Sequence, residues 1–349
     1  MKIALLTIWH EYNYGAELQA YATIKVLQNM GHHVEMIDIR LSDEGKPSML
    51  GLVSKIIESM SPAQHKFERF WTKFPKTRRY KSILELQNDP PVADIYMVGS
   101  DQVWNPDITK SFRNIYFLDF GKDSVKRVSY ASSFGVSEWK YRDYKDDVAR
   151  LLSRFDFISC REQSGVKLLK DTFEVDSENV VDPTLLLGEY QNFIKQQTKT
   201  HNLVCYPLGY DPELQYHSRK LAKTLNLRFV DNFNAKRILG RIVWNRNSVE
   251  QWVSNIANAE FVITRSYHGM LFSIMHQKQF AVVAGNNGRS ARLLDFLKEI
   301  GLEDRYFGDF SQLAENKPWL EEINYAKINE KVQSLREKSI NVLQNMLGE

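Results

Sequence analysis

The chain has 349 residues, beyond the roughly 250–300 at which one hydrophobic core stops growing, so two domains are expected. Hydrophobic residues at 43% and charged residues at 26% exclude a largely disordered chain. The balance of 46 Lys+Arg against 43 Asp+Glu, a net of +3, leaves no electrostatic footprint for nucleic acid. Cys160 and Cys205 are too few for a disulfide framework and cannot alone build a zinc site, so neither a bound metal nor a cofactor is expected. The apolar opening, Ile3 to Ile8, is too short for a signal peptide, and no run approaches the ~20 apolar residues of a membrane span. A soluble, cytoplasmic, two-domain protein is the expectation.

In chain order, Ile3 to Ile8 reads as a buried strand, Trp9 to Gly15 as a loop and Ala16 to Met30 as a helix, with Leu18, Tyr21, Ala22, Val26 and Leu27 on one face. Gly31 suits the helix end and His33 to Ile39 the next strand, which makes a βαβ unit and hence a parallel sheet. Residues 42–62 read as an irregular excursion, and Phe67, Phe70, Trp71 and Phe74 as one helical stripe. Strands follow at Asp94 to Val98, Arg127 to Ala131 and Phe157 to Cys160, with helices at Tyr141 to Arg154 and Glu162 to Lys170. The pattern restarts after Thr200: strands at Leu203 to Tyr206, Arg228 to Val230, Phe261 to Thr264 and Gln279 to Ala284. Helices alternate with them at Pro212 to Leu225, Ser248 to Asn258, from near Gly269, and at Arg289 to Ile300. A charged amphipathic helix, Tyr325 to Leu347, ends the chain. The division expected is residues 1–185, residues 186–324 and a C-terminal helix over 325–349: two α/β domains facing a cleft.

The usual nucleotide and hydrolase signatures are missing. There is no G-x-x-x-x-G-K-[ST], no G-x-G-x-x-G after the first strand and no G-x-S-x-G elbow. What recurs instead is polar and aromatic residues just past the strands, where doubly wound sheets hold ligands. The segments are His10 to Gly15, Gly99 to Asn105, Ser132 to Gly135, Arg161-Glu162, Arg265 to Gly269 and Asn286 to Arg289. In Thr264-Arg265-Ser266-Tyr267-His268-Gly269, a guanidinium fork and an imidazole meet at a strand-to-helix junction, which favours an anion. His268 can donate a proton near neutral pH or merely cap the helix. By themselves Arg161 and Glu162 read as a surface ion pair, Gly99-Ser100-Asp101 as a turn or cap, and Asp182-Pro183 as an interdomain turn, each more readily than as a functional group.

Six ordered segments carry a resemblance: Asn13 to Ala22, Gly99 to Asn105, Ser129 to Gly135, Ile158 to Glu162, Val181 to Leu186 and Arg265 to Gly269. They are similar to the polysaccharide pyruvyl transferase family. The resemblance implies two Rossmann-like domains in a GT-B-like arrangement. It also implies transfer of the enolpyruvyl carbons of phosphoenolpyruvate onto two hydroxyls of a sugar as a pyruvate ketal. The acceptor is expected to belong to a capsule, exopolysaccharide or wall precursor, lipid-linked and met at the inner face of the membrane if the basic stripe of residues 66–81 docks there.

On that reading His268 is the general acid, and Asp101 and Glu11 are candidates for taking the hydroxyl proton. Arg161, Arg265, Ser266, Tyr267, Arg289 and Arg292 are the donor-binding residues, and the second domain is the donor side. Asn13, Tyr14, Gln102, Trp104 and Asn105 form the acceptor side, on the first. Cys160 reads as packing. Seven basic residues between Lys66 and Lys81, interleaved with aromatics, either dock on anionic membrane or form a helix whose aromatic stripe packs inward. The competing enzyme reading is a nucleotide-sugar glycosyltransferase on the same fold, and the competing non-enzyme reading a module that binds an anionic glycan.

Overall fold

A computed structural model of the protein describes residues 1–40, 62–194, 200–238, 241–244, 246–285 and 291–349. Seven strands form the first sheet: β1 (Lys2–Leu6), β2 (His33–Asp38), β3 (Lys76–Arg79), β4 (Ile95–Val98), β5 (Lys126–Ser132), β6 (Phe157–Cys160) and β7 (Glu178–Asn179). Their order is β3-β2-β1-β4-β5-β6-β7, and every pairing is parallel. The second sheet uses β8 (Asn202–Tyr206) and β9 (Arg228–Asp231). A hairpin of β10 (Ala235–Ile238) and β11 (Arg241–Trp244) intervenes before β12 (Phe261–Thr264), β13 (Gln279–Val283) and β14 (Tyr306–Phe307). The order β14-β13-β12-β8-β9 is again all parallel. The continuous apolar runs of β1, β4, β8 and β12 suit strands covered on both faces.

The chain order reverses between β1 and β4 in one sheet and between β8 and β12 in the other. Loops diverge at such switch points and open a crevice outside the carboxyl ends of the strands. The Tyr14–Asn29 helix, capped by Asn13 whose side chain accepts the Gly15 N–H at 3.0 Å, is buried on two sides. It packs on the first sheet and also against the Val249–Ala257 and Tyr267–Met275 helices of the second unit. One hydrophobic cluster runs from Leu5 and Leu18 through Trp252, Met270 and Phe272. The two units thus share a core along this helix, and the cleft expected between them is confined to the strand ends.

The C-terminal helix, Tyr325–Leu347, returns to the first unit. Ser339 Oγ accepts the Val181 N–H at 3.0 Å, Arg336 donates to the carbonyls of Leu186 and Leu187, and Glu349 meets His32 at 3.1 Å. Elements not expected from the sequence include the edge strands β3, β7 and β14, the β10–β11 hairpin and the short helices Ile83–Asn88, Pro183–Leu187 and Phe310–Asn316. Lys76–Arg79 lies at a sheet edge, pairing Met36 with Lys76 and Asp38 with Arg79, because a short run of basic residues is tolerated where one side of a strand stays exposed. The excursion at 42–62 lies outside the described residues except for its last position.

The aromatic stripe turns inward. Phe67, Phe70, Trp71 and Phe74 are all in the core, and Trp71 donates its indole N–H to Glu17 at 2.7 Å. Several of the interleaved cations are spoken for: Lys66 donates to the Arg246 carbonyl at 2.8 Å, Lys73 pairs with Glu250 at 2.7 Å, and Arg78 pairs with Glu85 and Asp89. The first two span the units. No described helix is long and apolar enough to cross a membrane.

Candidate active site

Loops from both switch points line a cavity of about 460 Å³. After β1 come Ile8, Glu11, Asn13 and Ala16; after β4, Asp101, Gln102, Ile108 and Lys110; after β6, Arg161. The second unit adds Leu208 after β8, Ser266, Tyr267 and His268 after β12, and Arg292 on the Ala291–Ile300 helix. Five of the non-glycine residues with left-handed backbones cluster here or beside it: His10 (φ 66°), Tyr12 (φ 50°), Asp101 (φ 75°), Lys110 (φ 48°) and Leu208 (φ 64°). Such conformations persist where the surrounding structure over-determines them, and they concentrate at working sites.

Asp182 is the hub. It is fully buried and caps the Pro183–Leu187 helix, its Oδ1 accepting the Thr184 N–H at 2.9 Å and hydroxyl at 2.6 Å. Its Oδ2 accepts the Ser100 hydroxyl at 3.0 Å and Arg161 Nη1 at 3.1 Å, and faces His268 Nε2 at 3.5 Å. Burial alone would push this carboxyl up, but His268, Arg161 and the Thr184 hydroxyl outweigh it and hold it well below the usual range, so it is ionised. The reading of Asp182-Pro183 as an interdomain turn is therefore corrected. Proline at the first helical position follows a capping Asp, and the other oxygen of that Asp organises the site.

Arg161 and Glu162 are not a surface pair. Both are buried, with Arg161 Nε donating to Glu162 at 2.8 Å. Burial opposes the charge of Arg161, yet Glu162 and Asp182 more than compensate and hold it above its ordinary range. Nε and Nη1 are thus committed to protein carboxylates, and Nη2 takes no part in those bonds. The guanidinium lies 4.7 Å from the Tyr267 ring centre, and that of Arg292 lies 5.9 Å from the same ring.

Ser266, not His268, caps the Tyr267–Met275 helix, accepting the Gly269 N–H at 3.3 Å. That helix starts two residues earlier than expected, which places His268 in its first turn and in the cavity wall. The imidazole lies directly over Gly15: a Cβ there would stand 2.1 Å from His268 Nδ1. Gly15 in the first unit is what lets a histidine of the second come this close.

On the opposite wall the Glu11 carboxyl is pushed up to about 7, chiefly by desolvation and also by Asp101, with Lys110 pulling the other way. The residue as a whole is exposed, but its carboxyl faces a concave wall rather than open solvent. Asp101, at its left-handed turn, accepts its neighbour's N–H (Gln102) at 2.8 Å and bridges to Ser132, so it serves both as a turn residue and as part of the wall.

The remaining expected residues divide. Asn13, Gln102, Ser266, Tyr267 and Arg292 line the cavity. Arg292 is the free donor among them, its Nε and Nη1 buried without a hydrogen-bond partner among the described residues. Arg265 turns away to Asp211, at 2.5 Å, and Glu213, at 3.4 Å. Tyr14 is fully buried between the units, stacked on Trp252 at 5.3 Å and donating to the Asn247 carbonyl. Trp104 is fully buried, stacked on Phe117 and donating to the Tyr116 carbonyl. Asn105 is buried as a helix cap that donates to Gln102 Oε1. Arg289 lies outside the described residues.

Sequence reasoning missed Asp182, Ser100 and Lys110 as site residues. An Asp-Pro-Thr cap signal was legible for the first, but nothing local pointed to the cavity. Cys160 is buried behind the site as packing. Among the described residues no group of three or more His, Cys, Asp or Glu is arranged to hold a metal ion.

Three solved structures with similar folds illustrate the architecture. The complex of S. aureus MnaA with UDP has 11% identity, covers 100% of this chain and 97% of that one, and gives a TM-score of 0.56. A putative UDP-N-acetylglucosamine 2-epimerase from Listeria monocytogenes has 9% identity, coverages of 95% and 91%, and a TM-score of 0.54. An α-glucosyltransferase bound to UDP and a 13-mer DNA has 13% identity, coverages of 99% and 95%, and a TM-score of 0.51. At such identities the likeness concerns the fold, which is GT-B-like. No curated protein matches the sequence. The sequence profile of the polysaccharide pyruvyl transferase family matches residues 13–287, a span that contains the Asp182 hub and the His268 turn but neither Glu11 nor Arg292. With that match over most of its length, the chain belongs to the polysaccharide pyruvyl transferase family.

Proposed function

We propose that the protein transfers the enolpyruvyl carbons of phosphoenolpyruvate onto two hydroxyls of a sugar in a surface-polysaccharide precursor, forming a cyclic pyruvate ketal. The observation that carries this reading is the buried chain Arg161–Asp182–His268 beside a cavity that also holds Arg292, whose Nε and Nη1 have no hydrogen-bond partner among the described residues. A binder of an anionic glycan needs the cation but not a carboxylate-backed imidazole; a ketal-forming enzyme needs both.

In this reading Arg292, with Nη2 of Arg161, receives the donor's anionic groups. The ionised Asp182 stabilises a protonated His268, which delivers a proton to the methylene carbon of the donor. The resulting cationic carbon is attacked by a sugar hydroxyl whose proton passes to Glu11. Glu11 suits this role better than Asp101, because its carboxyl is raised to about 7, near the working pH that favours a general base. The C–O bond to phosphate then breaks, and phosphate departs with the proton that Glu11 took, which restores the carboxylate. The second hydroxyl attacks, and its proton returns the imidazole to its starting state. Atoms balance as phosphoenolpyruvate plus diol giving ketal plus phosphate.

The donor is a cytoplasmic metabolite, which supports a cytoplasmic reaction. For a lipid-linked acceptor at the inner membrane face, the support is the pair of exposed cations Arg69 and Lys81 on the basic stripe. The test is incubation with phosphoenolpyruvate and a panel of galactosides, glucosides and mannosides, free and lipid-linked, reading phosphate release and product mass. A mass gain of pyruvate less water, lost in His268→Ala, is the expected result. Binding of UDP- or GDP-sugars without binding of phosphoenolpyruvate would favour the glycosyltransferase reading instead.

A further inference from the structure

We infer that Lys110 is a further anchor for the donor's anionic end, so that an uncommitted cation grips the donor from each unit: Lys110, beside the largely matched Arg161, from the first and Arg292 from the second. The inference rests on the donor assignment above. It starts from the backbone. Lys110 follows the Pro106–Thr109 turn of helix and adopts φ 48°, ψ −121°. That is the geometry of the first central residue of a type II′ turn, a position dominated by glycine because a Cβ is sterically opposed there. A lysine at such a position is accounted for if its side chain is used, and strain of this kind is tolerated where surrounding structure fixes it.

The side chain does reach a place of use. Lys110 lines the cavity beside Glu11, on which it acts through space. Among the described residues its ammonium is in no hydrogen bond or ion pair. The charges of the wall then decide the role. Phosphoenolpyruvate brings a phosphate dianion and a carboxylate. Arg161 is already matched by Glu162 and Asp182, at 2.8 Å and 3.1 Å. Glu11 and Asp101 on the first unit's wall repel an anion. Arg292 and His268 sit on the second unit, and without Lys110 the only cation in the first unit's part of the described lining would be Arg161, already matched by two carboxylates. A flexible ammonium suits the task, since it can follow a phosphate that must leave during the reaction.

The experiment compares wild type with Lys110→Gly, Lys110→Met and Lys110→Arg, titrating phosphoenolpyruvate and, separately, inorganic phosphate by calorimetry, and recording thermal melts. Lys110→Gly removes the charge while relieving the backbone, so it is expected to melt at or above the wild-type temperature and yet bind phosphoenolpyruvate about tenfold or more weakly. Lys110→Met keeps the backbone strain and is expected to lose the same affinity, while Lys110→Arg recovers most of it. Phosphoenolpyruvate and inorganic phosphate binding to Lys110→Gly and Lys110→Met as tightly as to wild type would overturn the inference while leaving the donor reading intact. A wild-type protein that binds neither probe would overturn both.

Discussion

Nε2 of His268, in the second unit, lies 3.5 Å from Oδ2 of Asp182, which caps the helix leaving the first sheet. Because that oxygen also accepts from Ser100 and Arg161, and its twin from Thr184, the imidazole faces a carboxylate that is itself fixed from three directions. This single contact joins the two halves of the chain at the place where the chemistry is proposed.

Asp182→Asn keeps a side-chain oxygen for the helix cap but removes the charge that faces both His268 and Arg161. Turnover is expected to fall about 10²-fold or more if His268 donates the proton. Breaking the buried pair is expected to cost about 3 kcal/mol of stability, less than full loss because Glu162 still matches Arg161. Steady-state kinetics beside a denaturant melt check the two effects separately. Unchanged turnover would remove Asp182 from the mechanism.

Gly15→Ala places a methyl 2.1 Å from His268 Nδ1. The helix itself tolerates alanine well, so folding is expected to survive while the displaced imidazole lowers turnover about 10²-fold. Activity like that of wild type would mean that the position of His268 over Gly15 is unimportant for the reaction.

Arg292 and Arg265 are expected to separate. Arg292→Ala removes a guanidinium whose Nε and Nη1 have no hydrogen-bond partner among the described residues, and the KM for phosphoenolpyruvate should rise about tenfold or more. Arg265→Ala removes a partner of Asp211 and Glu213 outside the cavity, so its effect on that KM should stay within about threefold, the worth of a partly exposed ion pair. Equal losses in both variants would contradict the separation.

The raised carboxyl of Glu11 sets a pH limb. A base works when deprotonated, so kcat/KM should rise through a pH near the value of about 7 to which this group is pushed, rather than near 4.5. Glu11→Gln should abolish that limb along with most turnover. A limb that persists in the variant would belong to another group.

Glu17 gives a stability prediction of definite sign. It is fully buried beneath Trp71, and desolvation raises its carboxyl from 4.5 to about 8. Between those values the folded protein holds a proton that the unfolded chain has lost, so unfolding free energy falls as pH rises from about 4.5 to 8. Its stabilising share is fully present below 4.5 and lost above 8. Glu17→Gln, which keeps an acceptor for the Trp71 indole, should therefore gain on wild type by up to a few kcal/mol at pH 9 and show little gain at pH 4. Parallel melts at the two pH values would decide; an identical difference at both would place the titration elsewhere.

The linear pattern was enough for most of the scaffold. Periodicity placed β12 and the C-terminal helix at their observed bounds, and most other expected strands and helices within two or three residues, because each buries a repeating apolar face. The strand-end rule gathered Glu11, Asp101, Gln102, Arg161, Tyr267 and His268 into one cavity, because a parallel sheet aims all its carboxyl ends the same way. Where local polarity was the only guide it misjudged depth. Trp104, Asn105 and Tyr14 stand just past strands or begin a helix, as the cavity residues do, yet they turn into the core. Direction after a strand end is set by a residue or two of turn geometry, which has no period to read.

What the sequence by itself determined is the pair of parallel sheets, the family and the position of His268 at a strand-to-helix turn. All three follow from local spacing and ordered motifs. Only the tertiary structure decided that Asp182 is the hub, that Arg161 is largely consumed by protein carboxylates, that Arg265 pairs outside the cavity and that Lys110 lines it. Each of these depends on which charges meet across loops separated by tens to well over a hundred residues. The net energy of a buried charge is set by those partners and by the solvent it loses, neither of which is written at its own position in the chain.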